Sequence, residues 1–239
     1  MIDIHCHILP FLDDGPDSLE TAIKLSQLAV ECGVSTIVTT PHYLPEIFTT
    51  SPEMINKALS DFKLVLEQEK IPLTILPGQE IHIEADMLDK IINRSLLTLN
   101  LKNYFLFEFP LLQVPPGARE MIFHAKLSGL TPVIAHPERN TQIQHNIKML
   151  SEFVNGGALV QITGGSITGH FGKEAHATAE QLLRKELVHV VASDSHREET
   201  GFRTLKQAFE SISASYGSDY ADMLTQKNPE TIINGKPLL

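Results

Sequence analysis

Nine side chains of metal-binding type are spread along the chain: His5, His7, Asp14, His42, Glu80, Glu108, His136, Asp194 and His196. Most of them close an apolar run. Ile2-Asp3-Ile4 leads into His5-Cys6-His7, Ser35-Thr36-Ile37-Val38-Thr39 into Thr40-Pro41-His42, Val133-Ile134-Ala135 into His136, and residues 188–192 into Ser193-Asp194-Ser195-His196. Active sites of (β/α) barrels are assembled from the C-terminal ends of the strands. A lone His-x-His on a strand edge is commonly structural and carries little information. A series of this length at successive strand ends points to a multinuclear metal centre that performs hydrolysis.

The residue types narrow the chemistry. His5 and His7 are two apart on an extended segment, so their side chains project to the same side. Imidazole nitrogens combined with carboxylate oxygens suit Zn, Mn or Fe better than Ca. A carboxylate such as Glu80 can bridge two ions, which a histidine cannot, so a cluster needs both types. Two ions about 3.5–4 Å apart hold a bridging hydroxide as nucleophile and clamp a phosphate oxygen. The bound water's pKa falls toward 7, so no protein nucleophile is required. Arg139 follows His136 by three residues in His-Pro-Glu-Arg, placed to grip a phosphoryl group through bidentate hydrogen bonds. The competing reading of Arg139 is a salt bridge to Glu138 or a solvated side chain. Of the adjacent Asp13 and Asp14, one serves as a ligand and the other as a turn or helix cap; Asp14 is the preferred ligand. Among the remaining histidines, His82 and His170 follow strand ends and are expected to line the pocket. His124, His145, His176 and His189 suit surface or satisfied-core positions.

Strand and helix signals alternate throughout. Strands are expected at residues 2–5, 35–39, 73–76, 104–107, 132–135, 158–162 and 188–192. Asp17 or Ser18 caps a helix running to Cys32, where Gly33 is a natural stop, and Ser51-Pro52 opens a second helix to about Lys70. Further helices are expected at 117–127, 143–154, about 173–186, 203–215 and 218–226. This alternation implies an α/β protein with a parallel sheet. Closure into a barrel follows from the ligands: they come from nearly every strand, and an open doubly wound sheet would hold distant strands too far apart. The segments 41–51 and 163–172 lie on the ligand-bearing face and shape a pocket.

The 239 residues suit one barrel-sized domain spanning 1–239, and the 42% hydrophobic content supplies its core. A formal charge of −10 disfavours a nucleic-acid footprint, which needs a basic face. The two cysteines, Cys6 and Cys32, are too few for a disulfide scaffold and wrongly spaced for a zinc finger; both read as buried thiols in a reducing compartment. Neither has an arginine six residues on, where Leu12 and Val38 stand, so the cysteine-phosphatase loop is absent. No signal-peptide pattern is visible, and no apolar run reaches the roughly 18 residues of a membrane span. A cytoplasmic protein that is not membrane-embedded is expected.

The motifs resemble those of the polymerase-and-histidinol-phosphatase (PHP) metal hydrolases, and within them the bacterial capsule-locus, CpsB-type protein-tyrosine phosphatases. The resemblance rests on Met1-Ile2-Asp3-Ile4-His5-Cys6-His7-Ile8-Leu9-Pro10 with Leu12-Asp13-Asp14-Gly15-Pro16, Thr39-Thr40-Pro41-His42, Pro77-Gly78-Gln79-Glu80, Phe107-Glu108-Phe109, Val133 to Arg139, Gln161-Ile162-Thr163 and Val191 to His196. It covers essentially the whole chain. It implies a distorted (β/α)7 TIM-like barrel holding three divalent ions, commonly Mn, with Zn, Fe or Mg as alternatives. The family's ligands fall on His5, His7, Asp14, His42, Glu80, Glu108, His136, Asp194 and His196, and its phosphate-gripping arginine on Arg139. A second arginine falls on Arg197 or Arg203, across an altered loop, Glu198-Glu199-Thr200-Gly201-Phe202. His170 stands where an arginine is often seen in Thr-Gly-x-Phe-Gly.

The implied substrate is phosphotyrosine on a bacterial tyrosine autokinase that controls capsule or exopolysaccharide synthesis. A metal-activated hydroxide attacks phosphorus in line, and His42 or a metal-bound water protonates the leaving oxygen. A small-molecule phosphatase of the same fold, acting on a histidinol-phosphate-like ester, is the alternative. An exonuclease fits the acidic chain poorly. An amidohydrolase would place a lysine at the fourth strand, where this chain has Glu108. A non-catalytic binding barrel would have lost ligands that are all present here.

Overall fold

The structure, a computed structural model, describes residues 1–197 and 200–238. Glu198 and Glu199, the first two residues of the altered loop, lie outside the described residues, as does Leu239. The strands are β1 (Ile2–Cys6), β2 (Thr36–Thr39), β3 (His42–Leu44), β4 (Phe48–Thr49), β5 (Thr74–Pro77), β6 (Glu80–His82), β7 (Tyr104–Glu108), β8 (Thr131–Ala135), β9 (Leu159–Thr163) and β10 (Val190–Ala192). They form two hydrogen-bonded sheets, ordered β1-β2-β5 and β10-β9-β8-β7-β6-β3-β4. All pairings are parallel except the β3–β4 hairpin.

Seven staves nevertheless surround one axis, because the chain itself joins the two sheets. β2 continues through Thr40-Pro41 into β3, and β5 continues through Gly78-Gln79 into β6. Each interruption has a local cause. Pro41 has no N–H to give a ladder. Gly78 passes so close to β2 that a Cβ there would sit 2.6 Å from Val38 Cγ1 and 3.1 Å from the Thr39 carbonyl oxygen. On the far side, β1 meets the end of β10 through a Cys6–Ser195 bridge, with His7 N donating to Ser195 O (3.0 Å) and Asp194 N to His5 O (2.9 Å). The result is a distorted (β/α)7 barrel. The strands expected at 35–39 and 73–76 are found as β2 and β5 and continue past an interruption into β3 and β6, and the segment expected as a loop at 41–51 carries the β3–β4 hairpin.

The strands separate two cores. Tyr104 and Leu106 of β7, Val133 and Ala135 of β8, Leu159 of β9 and Val190 of β10 belong to an inner cluster. Phe105, Phe107, Ile134, Val160, Ile162 and Val191 alternate with them and pack outward with the helices. Continuing the inner-facing series along β7 leads to Glu108, along β9 to Gln161 and Thr163, and past β10 to Asp194. The apolar half of the barrel is closed by Ile232 and Ile233 of the last helix, Asn228–Ile233. That helix follows a π-helical turn, Met223–Lys227, and runs past the end of the helix expected at 218–226. The helix expected at 143–154 is two, Thr141–His145 and Ile147–Asn155, broken where Asn146 leaves the helical region (φ −146, ψ 72). Ser18 and Ser51 cap the first two long helices, accepting from Thr21 N and Met54 N, and Pro52 occupies the first turn. Among the described residues no helix is long and apolar enough to cross a membrane.

On β1 the ladder to β2 shifts register, with Asp3 opposite Ile37 but Cys6 opposite Thr39. Three steps on β1 match two on β2, as in a bulge that re-aims side chains. Ile2 and Ile4 therefore face the inner core while Cys6 faces the outer one, and His5 and His7 turn to the barrel mouth. The tightness at Gly78 gives a test. Gly78→Ala lowers stability by about 1–3 kcal/mol through overpacking between β2 and the β5–β6 junction. Chemical denaturation measures this, and an unchanged midpoint contradicts the close crossing.

Candidate metal centre

Each strand end brings its residue to one place. His5 and His7 come from the end of β1, His42 opens β3, Glu80 opens β6, Glu108 closes β7, and His136 follows β8. Asp194 and His196 follow β10, and Asp14 lies on the loop after β1. Three groups have ligand atoms mutually within 4.8 Å: His5, His7, Glu80 and Asp194; His7, Asp14, His42 and His196; and His42, Glu80 and Glu108. His136 joins the last group, its Nε2 2.9 Å from Glu80 Oε1 and 3.8 Å from Glu108 Oε2. All nine residues singled out from the sequence are therefore neighbours.

The geometry within this cluster calls for cations. Asp13 Oδ2 lies 2.7 Å from His7 Nδ1, and a carboxylate can only accept, so that nitrogen carries the proton. Gln161 Oε1 lies 2.8 Å from His5 Nδ1 and plays the same part there. Both Nε2 atoms are then lone-pair acceptors, yet they face each other at 3.2 Å. Glu80 Oε2 adds negative charge 3.0 Å from one and 3.2 Å from the other. Glu80 is fully buried, and its Oε2 and the Nδ1 of His42 lack a hydrogen-bond partner. Unpaired buried charge is costly, and a bound cation relieves it. Nitrogen and oxygen donors without thiolate suit borderline divalent ions. Cys6 Sγ turns away toward the Ser195 carbonyl oxygen.

Without a cation, protons take up the role. Burial pushes His5 down, but the charges of Glu80 and Asp194 lift it to about 9. His7 is also raised, burial being outweighed by Asp13. Burial would raise the carboxyls of Glu80 and Asp194; the surrounding histidines hold both well below the ordinary range. A hydrogen bond from His196 takes Asp14 down to about 2.

Two residues in this cluster sit in the left-handed backbone region, His136 (φ 32) and Asp194 (φ 52). Such conformations in non-glycine residues cost about 1–3 kcal/mol and gather at functional sites. For His136 the turn directs the following Pro137-Glu138-Arg139 back across the barrel mouth. Arg139 Nη1 donates to Asp194 Oδ2 at 2.7 Å, and its guanidinium carbon lies 4.4 Å from the centroid of the Phe171 ring. Arg139 is therefore not paired with Glu138. That carboxylate is fully buried and accepts instead from Thr163 N, Thr163 Oγ1 and Ser166 Oγ. Arg197 shares a cleft with Asp13, Asp14, Asp17 and His196. Arg203 lines a different groove with Leu28, Glu31, Cys32 and Lys206, which contains none of the nine.

Further residues support or border the nine; of these, Gln161 and Phe48 were given no role by the sequence. Asp13, left as a turn or cap, orients His7 and also accepts from the backbone of His42 and Gly15. Gln161 orients His5. His82 Nδ1 lies 3.3 Å from Glu108 Oε1, so this expected pocket residue does border the centre. Phe48 stacks on His42 (5.8 Å, 13°). His189 accepts from Val160 N, as a satisfied-core histidine should.

A (β/α) barrel that gathers buried histidines and carboxylates beside a held arginine defines a metal-dependent hydrolase. The sequence matches the family described as capsular polysaccharide synthesis, CpsB/CapC, over residues 1–234. It is 39% identical over 238 residues to the tyrosine-protein phosphatase YwqE of Bacillus subtilis, covering 100% of this chain and 93% of that protein. Identity to the tyrosine-protein phosphatase CpsB of Streptococcus pneumoniae is 34% over 242 residues, 98% of each chain. A crystal structure from work on YwqE and pneumococcal CpsB, described as unique metal-dependent tyrosine phosphatases, aligns with a TM-score of 0.96 at 39% identity, over 100% of this chain and 96% of that one. A zinc-containing histidinol phosphate phosphatase from Lactococcus lactis shares the fold, with a TM-score of 0.54 at 11% identity over 94% of this chain and 96% of that one. The chain belongs to the CpsB/CapC family.

Two outcomes follow from the centre. Asp13→Ala removes the acceptor that fixes the His7 ring, and weakens metal binding about 10- to 100-fold in a metal titration; unchanged affinity contradicts the orienting role. The second outcome concerns pH. Metal-free folded protein holds a proton on His5 that the unfolded chain, with an ordinary value of 6.5, releases earlier. That contribution to stability is complete below pH 6.5 and is lost as pH rises through about 9. Metal must displace this proton. The melting temperature of the metal-free protein therefore falls from pH 6.5 to 9 while the increment produced by added Mn grows. A flat metal-free profile with a constant increment contradicts it.

Proposed function

We propose that this chain is a metal-dependent protein-tyrosine phosphatase acting in the cytoplasm on phosphotyrosine of a bacterial tyrosine autokinase linked to capsule or exopolysaccharide synthesis. The observation that carries the reading is the nine-residue centre with Arg139 held at its edge by Asp194, in a chain of the CpsB/CapC family.

Three divalent ions fit the three groups, with Mn as the preferred ion and Zn, Fe or Mg as alternatives. His5, His7, Glu80 and Asp194 would hold one; Glu80, Glu108 and His136 a second; Asp14, His42 and His196 a third. His7 serves the first group alone, because its Nδ1 is committed to Asp13 and its single lone pair binds one ion. Glu80 would serve the first two groups together, since its Oε2 lies near His5 and His7 and its Oε1 near His136. Bound ions supply a water activated at neutral pH and offset the charge that develops on phosphorus.

The side chains do the rest. Arg139 keeps Nη1 on Asp194 and has its remaining N–H groups for phosphate oxygens. Arg197, in the cleft with Asp14 and His196, is the better second contact; Arg203 lines another groove. His42 turns Nε2 toward Asp14 (3.6 Å) and Nδ1 toward Glu80 (3.1 Å), which suits a ligand rather than a proton donor. A phenol with pKa about 10 leaves with less protonation than an alcohol, which matches a phosphotyrosine substrate. Exposed Phe11, Ile47, Leu111 and Leu112, on loops after β1, between β3 and β4, and after β7, give a protein substrate apolar ground to rest on.

The test is turnover of a phosphotyrosine peptide by metal-stripped protein given back Mn, Zn or Mg. Activity returns with Mn and withstands a thiol blocker, both cysteines being buried. Activity is lost in His136→Ala, and kcat/KM falls about a hundredfold in Arg139→Gln. Turnover without metal, or turnover confined to small alkyl phosphates, contradicts the reading.

A further inference from the structure

The Arg139 guanidinium is held by more than its ion pair. The Phe171 ring covers it at 4.4 Å, within cation–π range. Phe171 is 38% exposed, unusual for a ring that the fold places with such care. Its position is built twice over. Gly165 leaves the space the ring occupies, since a Cβ there would lie 2.6 Å from Phe171 Cε2 and 3.0 Å from Cδ2. Glu138, next to Arg139, ties the start of the same segment down through Thr163 and Ser166. The turn between them is closed by His170 N donating to Gly165 O at 2.8 Å. Two loops from neighbouring strands, after β8 and after β9, are thus locked together so that one delivers the arginine and the other the ring.

We propose that Phe171 is a positioning residue for phosphate binding: its ring and Asp194 fix the Arg139 guanidinium from two sides, so that its free N–H groups are aimed before the phosphate arrives. This rests on the reading of Arg139 as the phosphate grip. Ordering the side chain in advance spares the entropy of ordering it on binding. An aliphatic side chain at 171 keeps the apolar contact and loses the electrostatic bracket. Tyrosine keeps both.

The experiment is calorimetric binding of inorganic phosphate to the Mn-loaded protein, with the KM for a phosphotyrosine peptide measured alongside. Phe171→Leu is expected to weaken phosphate binding, and to raise KM, roughly three- to tenfold. Gly165→Ala, which displaces the ring without altering it, does the same, and Phe171→Tyr restores wild-type values. In an Arg139→Gln background Phe171→Leu adds no further loss, because the ring acts only through the arginine. An equal loss in that background, or wild-type phosphate affinity in Phe171→Leu, overturns the proposal. If the wild-type protein binds phosphate with this pattern yet does not turn over phosphotyrosine, the positioning role stands and the phosphatase reading falls.

Discussion

Two imidazoles at the end of one short strand bring their Nε2 atoms within 3.2 Å of each other, with a buried carboxylate beside both. Lone pairs in that arrangement repel unless a positive charge lies among them. Most of the remaining architecture serves to hold it. Asp13 and Gln161 bind the outer nitrogens, fixing which faces point inward. Glu80 opposes the pair, and Asp194 approaches from the last strand with Oδ1 3.3 Å from His5 Nε2. Such a cluster would weaken a fold that left it unneutralised. With cations bound, the same charges become a source of stability, and metal loading and folding are coupled.

Backbone irregularities then appear as requirements rather than defects. The register shift on β1 lets Ile4 face the core while His5, next along, faces the centre. The breaks after β2 and β5 let the chain step from the three-stranded sheet to the seven-stranded one, which brings His42 and Glu80 side by side in register. Left-handed conformations at His136 and Asp194 aim those residues and turn the loop that carries Arg139. Gly78 and Gly165 mark places where one more carbon would push a stave or a ring aside.

Most of the nine candidate ligands are legible in the sequence because they close an apolar run, and the periodicity that builds a strand also locates its end. Arg139 was legible by its spacing from His136. The partners of these residues were not. Asp13 and Asp14 are adjacent and chemically alike, and only the path of the loop decides that Asp13 backs His7 while Asp14 meets His196. A one-dimensional reading offers Arg139 its neighbour Glu138 or solvent; the donors Thr163 and Ser166, at the end of β9 and in the turn after it, occupy that carboxylate, and Arg139 pairs with Asp194 instead. Strand breaks at Pro41 and Gly78 carry local signals, but their effect, a change of sheet, is a tertiary event. Phe171 belongs to the Thr-Gly-x-Phe-Gly stretch, but nothing near it in the chain reveals the arginine it covers. Arg197 and Arg203 were equal candidates by spacing and differ only in which groove they reach.

The central claim is that the facing histidines and their carboxylates are a cation site and not a proton-stabilised polar core. Anomalous diffraction at the manganese edge from crystals of Mn-loaded protein tests it most directly. The account predicts peaks among His5, His7, Glu80 and Asp194 and beside Glu108 and His136. Loaded crystals with no peak there, and with His5 and His7 unmoved at their present separation, would contradict it.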